Sequence, residues 1–513
     1  MTIDGFDIYD TTLRDGSQQE GLTLSVADKL AIARHLDDLG VTYIEGGWPG
    51  AVPKDTEFFR RAATELHLRQ SLLAGFGATR SPGGRAADDP MLGALRDSGV
   101  RAATIVAKSH DRHVHLALRT TPAENLAMIR DTVAHLTAEG IAVFLAAEHF
   151  FDAYQANASF ALDCVLTAAD AGAEVVVLCD TNGGMLPDQI TEMVSAVAAR
   201  TSARLGIHCH DDTGCAVANS LAAVAAGVTH VQGTANGYGE RTGNANLFSV
   251  IAALELKRHR PVLPPGAIEH LTGTAHAIGA VTGIPPAPRQ PYVGSNAFAH
   301  KAGLHTSAMK ADPALYQHID PAAVGNGTRI LISEMAGRSS VEMKVKELGR
   351  PMPDPDTVGR IVARVKELEA EGHSFESADA SFELLLHEFT AGRLPLRVRA
   401  WQYTLTSGDG AVATVDVALG EGEACVTAPG GSPTAALEAA LQQAVRQVQP
   451  RFPTLTAVSR RQYALAGGLR SRAQVEVTDG VRTWTTTNVG EDPITASWRA
   501  VQDAVNYALI TAP

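Results

Sequence analysis

Along the first half of the chain, short apolar runs alternate with longer stretches in which apolar residues recur every three or four positions. Eight runs between residue 6 and about 258 read as strands: FDIYDTT, TYIEGGW, SLLAGFG, AATIVAKS, AVFLAAEHF, EVVVLCDTN, LGIHCHDD and HVQGTANG. The stretches between them are alanine- and leucine-rich with helical period. In SVADKLAIARHLDDLG, Ser25 supplies the N-terminal cap and Gly40 the C-terminal stop. Eight strand–helix units in about 250 residues predict an α/β fold, a (β/α)8 TIM barrel over residues 1–258. An open, doubly wound sheet is the alternative for the same alternation.

The polar residues separate the two. The strand bodies read as apolar, while their C-terminal ends carry Asp10, Arg14 and Asp15; Glu45; Glu148; Asp180, Thr181 and Asn182; His208 and His210; then Asn236, Glu240, Arg241 and Asn244. A barrel gathers all eight ends at one rim, where barrel enzymes keep their chemistry. So many ionisable groups at one mouth imply an active site or a salt-bridge lattice, because buried charge without a partner is costly.

Past the barrel the pattern changes twice. Residues 259–394 begin with the proline-rich runs RPVLPPG and IPPAPRQPY, which flank a helical stretch, and continue as helices to about 392. They read as a connector and helical linker subdomain. From 395 to 513 come two sets of three short alternating strands (LRVRAWQYTLTS, AVATVDVAL, ACVTAP, then AVSRRQYALAG, SRAQVEVTD, RTWTTTNVG), each set followed by a helix, SPTAALEAALQQAV or DPITASWRAVQDAV. Both helices open on a capping Ser or Asp followed by proline. This is a strand–strand–strand–helix repeat, an α+β domain without a cluster of catalytic residue types, and it suits an interaction or ligand-sensing role.

At 513 residues, with 45% hydrophobic and 19% charged residues, the chain is large enough for several cores. No apolar run approaches a membrane span, and the start MTIDGFDIYDTTLRDG lacks a signal region, so a cytoplasmic location and no membrane partner are expected. The net charge of −13 argues against a nucleic-acid partner. Five cysteines without CxxC spacing make a disulfide framework or thiolate zinc site unexpected.

GIHCHDD (206–212) places His208 and His210 on one face of a strand. Two imidazoles suit a divalent metal; they also suit a strand end bonded to water. With Asp15 they make a two-histidine, one-carboxylate set with open positions, to which Asn244 would add a weaker amide oxygen. Asp211 and Asp212 are further candidate ligands, or else groups that orient the histidines.

DTTLRDG (10–16), HCHDDTGCAVANSLAAVAAGVTHVQGTANGYGERTGNANL (208–247) and NAFAHKAGLHTSAM (296–309) resemble the alpha-isopropylmalate synthase and homocitrate synthase family of barrel acyltransferases. YIEGGWPGAVPKDTEFF and AEHFFDAY are most similar to its citramalate-forming branch. One difference stands out: the family's His-x-His-Asn-Asp reads His-Cys-His-Asp-Asp, with Asp211 in place of the amide.

The resemblance implies a divalent metal (magnesium, manganese, zinc or cobalt) on Asp15, His208 and His210, with Asn244 nearby. It implies that Arg14 stabilises developing oxygen charge and, with Glu45 and Thr181, binds the 2-oxo acid; Thr181 would hold the carboxylate. Glu148 would lie close to the reacting methyl of acetyl-CoA. His305 and Tyr316 would assist catalysis from a segment that reaches over the neighbouring subunit of a homodimer. Gly237 and Gly239, in GTANGYGERTGN, fit a close-approach loop for coenzyme A or simply tight turns. The expected reaction condenses acetyl-CoA with pyruvate and water, and the 395–513 repeat corresponds to the family's regulatory domain, with isoleucine the expected effector. The GGWPG loop and the GFGATR strand end suggest a small acid pocket. Isopropylmalate or homocitrate formation on a larger acid is the nearest alternative. Carbon–carbon cleavage of the 3-hydroxy-3-methylglutaryl-CoA lyase type gives the C-terminal repeat no role. A catalytically dead amino-acid sensor would have lost metal ligands that are all present.

Overall fold

The computed structural model describes residues 5–407 and 410–511, which form two compact units, 5–298 with 319–327 and 299–318 with 328–407 and 410–511. In the first, β1 (Asp7–Asp10), α1 (Val26–Leu39), β2 (Tyr43–Glu45), α2 (Pro53–Glu65), β3 (Leu72–Ala78), α3 (Pro90–Asp97) and β4 (Ala102–Lys108) follow in order. Then come α4 (Asp111–Leu116), α5 (Pro122–Ala138), β5 (Ala142–Glu148), α6 (Phe150–Asp170), β6 (Val175–Asp180), α7 (Pro187–Ala198), β7 (Leu205–Cys209), α8 (Ala216–Ala225), β8 (His230–Gly233) and α9 (Leu247–Lys257). The eight strands are parallel and β8 pairs back with β1, Asp7 against His230, so the sheet is a closed barrel rather than an open one.

Local sequence sets these boundaries. Ser25 and Asp28 form the reciprocal cap that starts α1, and Gly40, at φ 92°, ends it in the left-handed conformation. Side chains of Ile8, Ile44, Val176, Leu178 and Ile207 face the helices and are fully buried. A second, smaller core fills the barrel interior, with Tyr9, Tyr43, Phe144 and Val177 packed together.

The strand bodies are less apolar than their sequences suggest. Asp7, Thr104, His230 and Gln232 are buried among them. Burial is tolerated because the groups are paired: Asp7 Oδ2 accepts from Arg204 Nη2 at 2.6 Å and from His230 Nδ1 at 3.1 Å. These contacts lie at the N-terminal end of the barrel, away from the mouth. The helix α10 (Leu271–Thr282), between the proline-rich runs, packs against α1 in this same unit.

The second unit begins with a two-stranded parallel ladder, β9 (Ala299–His300) with β10 (Arg329–Ile330), separated by α11 (Gly303–Ala311). Helices α12 (Arg338–Glu347), α13 (Pro355–Ala370) and α14 (Asp379–Thr390) share a core of Val341, Val358, Ile361 and Phe382. Two antiparallel three-stranded sheets follow. β11 (Leu396–Thr406), β12 (Gly410–Leu419) and β13 (Gly422–Gly430) carry α15 (Pro433–Val448). β14 (Thr456–Leu465), β15 (Arg470–Thr478) and β16 (Thr483–Gly490) carry α16 (Pro493–Ile510), so the repeat read from the sequence is the repeat that folds. Among the described residues, no helix is long and apolar enough to cross a membrane.

Candidate active site

The turn after β1 is built by Asp10, whose carboxylate accepts from Thr12 N at 2.8 Å and from Thr12 Oγ1 at 2.9 Å. Thr12 Oγ1 in turn accepts from Ala235 N at 2.7 Å, which ties this turn to the one after β8. Asp15 is thereby delivered to the mouth opposite His208 and His210, whose alternate positions at the end of β7 put both rings on one side. Asp15 Oδ2 lies 3.2 Å from His208 Nε2 and 3.7 Å from His210 Nε2. The donor atoms of all three fall within 4.8 Å of one another, and all three residues are buried.

This set fits a divalent ion. Asn244, joined to His210 by a β-bridge, donates Nδ2–H to Tyr238 O at 3.1 Å, while its Oδ1 is buried without a partner. Burial alone would raise the Asp15 carboxyl, but Arg14 and the hydrogen bond from His208 hold it well below the usual carboxylate range. Burial, then the neighbouring His208 ring, pushes His210 down to about 4. An ionised carboxylate and a neutral imidazole are the states a metal requires.

Behind His208 runs a continuous hydrogen-bond chain. His208 Nδ1 faces Gln232 Oε1 at 3.1 Å, Gln232 Nε2 faces His230 Nε2 at 3.2 Å, and His230 Nδ1 faces Asp7. With the amide donating to His230, that ring carries its proton on Nδ1, while His208 donates from Nδ1 to Gln232, so its Nε2 is the nitrogen that faces Asp15 and that would give up its proton to hold an ion. Asp211 and Asp212, expected to orient the histidines, do other work. Asp211 accepts from Ala216 N at 2.8 Å at the start of α8, and Asp212 holds Arg241 through two contacts of 2.8 Å.

A cavity of about 850 Å³ opens above this centre, lined by Arg14, Asp15, Trp48, Phe76, Lys108, Glu148, Thr181, His208 and His210 among others. Arg14 Nε donates to Glu45 Oε2, its Cζ lies 4.0 Å from the Phe76 ring centroid, and its Nη2 lies 3.8 Å from Asp15. Glu45 is fully buried, also accepts from Tyr9 OH at 3.0 Å, and does not line the cavity. Its expected role in substrate binding therefore changes: it holds Arg14, and Arg14 faces the cavity.

Glu148 closes β5 beside Lys108 of β4, in register with it, and the two form an ion pair. Thr181 Oγ1 accepts from His149 N at 2.8 Å and Thr181 O accepts from Arg241 Nη2 at 3.0 Å. Gly239 is buried at φ 152°, and a Cβ there would stand 2.3 Å from Asn244 Nδ2. Gly237, at φ 76°, packs against Asn244 and Asn246. Both glycines shape the loop that carries Asn244. His305 and Tyr316 belong to the second unit. They are exposed there, with their rings stacked at 4.2 Å.

Residues 5–276 match the HMGL-like family, 292–373 a homocitrate synthase post-HMGL domain-like family, and 376–509 the LeuA allosteric (dimerisation) domain. The chain is 56% identical over 99% of its length to an (R)-citramalate synthase of Streptomyces coelicolor, covering 97% of that protein. It is 44% identical over 98% of its length to one of Synechocystis, covering 96% of that protein. A third, from Aquifex aeolicus, is 42% identical over 98% of this chain and 97% of the relative.

Proposed function

The chain belongs to the (R)-citramalate synthase family and is an acetyl-CoA-dependent acyltransferase; on that premise we propose that its acceptor is pyruvate and its product (R)-citramalate. The acetyl methyl loses a proton, its carbon bonds to the ketone carbon of pyruvate, and water then cleaves the thioester to release CoA. The observation that carries this reading is Arg14, fixed by Glu45 and Phe76 at the edge of the Asp15–His208–His210 centre.

A divalent ion held by Asp15, His208 and His210, with Asn244 beside them, would supply Lewis-acid polarisation of the 2-oxo acid. Arg14 presents a permanent positive charge to the oxygen that gains charge as the carbon–carbon bond forms. Because Glu45 and the Phe76 ring already hold the guanidinium, no reorganisation is required during the reaction. Thr181 offers a hydroxyl to the acid's carboxylate. Glu148, steadied by Lys108, takes the methyl proton. Trp48 and Phe76, edge to face with centroids 5.2 Å apart, wall the cavity and favour a short acid.

The assay that tests this measures thiol release from acetyl-CoA with pyruvate, 2-oxobutyrate, 2-oxoisovalerate and 2-oxoglutarate. Pyruvate should give the highest kcat/KM, with some turnover of 2-oxobutyrate, because one methylene discriminates by only about 1–3 kcal/mol. Preference for 2-oxoisovalerate or 2-oxoglutarate would move the assignment to isopropylmalate or homocitrate formation.

The LeuA-type match at 376–509 supports a homodimer; we propose that its C-terminal repeat binds isoleucine and lowers activity by favouring one conformational state. Isoleucine, more than valine or leucine, should inhibit thiol release; no inhibition by any of them would remove the regulatory reading. His305 and Tyr316 are assigned as assisting groups supplied by the partner copy. Inactive Asp15→Asn and His305→Ala enzymes, mixed under exchanging conditions, should recover a substantial fraction of activity. Demonstrated exchange without recovery would refute the shared arrangement.

A further inference from the structure

We propose that the buried Lys29–Asp55 ion pair is a positioning device for the acid pocket: it clamps the Gly46–Gly47–Trp48 turn so that Trp48 completes the wall begun by Phe76, and selectivity for a short 2-oxo acid depends on that clamp. The proposal rests on the pyruvate reading above for the name of the acid.

Lys29 lies on α1 and is 2% exposed, and Asp55 lies on α2 and is 6% exposed. Lys29 Nζ donates to Gly46 O at 3.0 Å and to Asp55 Oδ1; the other Asp55 oxygen accepts from Trp48 N at 2.8 Å. One ion pair therefore holds the carbonyl on one side of Gly47 and the amide on the other. Gly47 has φ 137°, and a Cβ there would stand 2.3 Å from Asp55 Cγ, so the carboxylate fits only because residue 47 lacks a side chain. The turn also continues the sheet: Gly46 N donates to Ala74 O and Phe76 N donates to Gly47 O, each at 2.9 Å.

The consequence is a connected set. The clamp fixes the backbone at Trp48, the indole meets the Phe76 ring edge to face at 5.2 Å, and Phe76 supports Arg14 at 4.0 Å. Lys29, Asp55, Trp48, Phe76 and Arg14 all line the same cavity. A buried ion pair is a weak source of stability, since apolar residues of similar volume often serve as well. Its two directed contacts with one turn are what an apolar pair could not provide.

Two full-length variants test this. Lys29→Met/Asp55→Asn removes both charges together, leaves an acceptor for Trp48 N–H, and releases Gly46 O. Gly47→Ala keeps both charges but drives Asp55 off the Trp48 amide. In each, KM for pyruvate should rise, KM for acetyl-CoA should stay, and the ratio of kcat/KM for pyruvate over 2-oxobutyrate should fall about tenfold. An unchanged ratio in a folded variant overturns the proposal, as does a loss of kcat that leaves KM and the ratio where they were. Failure of both variants to reach the wild-type circular dichroism spectrum also overturns it, because the pair would then be holding the barrel rather than the turn. A wild type that prefers a different acid changes the pyruvate reading alone. The clamp is then read from the ratio between that acid and the one a methylene longer.

Discussion

Gln232 Oε1 sits 3.1 Å from His208 Nδ1, and this contact decides which nitrogen of His208 faces Asp15. The amide's other end meets His230, which is anchored on Asp7 and through it on Arg204. The chain thus runs from the mouth to the opposite end of the barrel. Burial pushes His230 down, so it remains neutral and accepts from the amide.

Gln232→Leu should therefore weaken metal binding about 10–100-fold, the usual effect of removing a group that orients a metal-bound imidazole. Calorimetric titration of the metal-stripped enzyme with manganese or zinc reads this directly. Unaltered affinity would show that His208 keeps its orientation without the amide.

Asp15→Asn keeps the shape of the side chain but removes the anionic ligand. Metal content after dialysis should drop to background and activity should vanish, while the circular dichroism spectrum stays that of wild type because Glu45 still holds Arg14. An active, metal-free Asp15→Asn enzyme would refute the metal centre.

Lys108 forms the ion pair with Glu148, across adjacent strands in register. Lys108→Met should lower kcat about 10–100-fold by loosening the carboxylate, with KM for pyruvate little changed. Steady-state kinetics in which KM rose and kcat held would instead place Lys108 in substrate binding.

Much of the barrel is legible in the sequence because several strands end where the apolar run meets charge, as IHCHDD and VVLCDTN show. The same rule points to Lys108, which ends β4 as Glu148 ends β5. Gln232 is different. It lies within a strand and reaches His208 only through the register of β7 with β8, which spacing along the chain does not encode. The role of Glu45 was equally hidden: a strand-end carboxylate can face the cavity or stand behind an arginine, and packing against Tyr9 and Arg14 decides which. The spacing of the aspartates after His210 does not reveal their partners, because the start of α8 and Arg241 compete with the histidines for the same side chains.

Asp10 provides a test of stability against pH. Burial lifts its carboxyl to about 7, although the hydrogen bonds from Thr12 oppose the shift. A carboxyl raised in the folded state binds its proton more tightly there than in the unfolded chain, where it titrates near 3.9. Between about pH 4 and pH 7 the folded state therefore holds one more proton, and stability falls as pH rises, by at most about 1.4 kcal/mol per unit. Below about pH 4 both states are protonated, and above about pH 7 both are ionised, so the contribution is flat at each end. Asp10→Asn cannot ionise, and its amide keeps an acceptor for Thr12 N. Denaturant melts from pH 4.5 to 8 should show the variant losing less stability with rising pH than wild type, the difference growing up to about pH 7 and then levelling. Parallel pH profiles for the two proteins would show that Asp10 is ionised throughout and that the Thr12 contacts outweigh its burial.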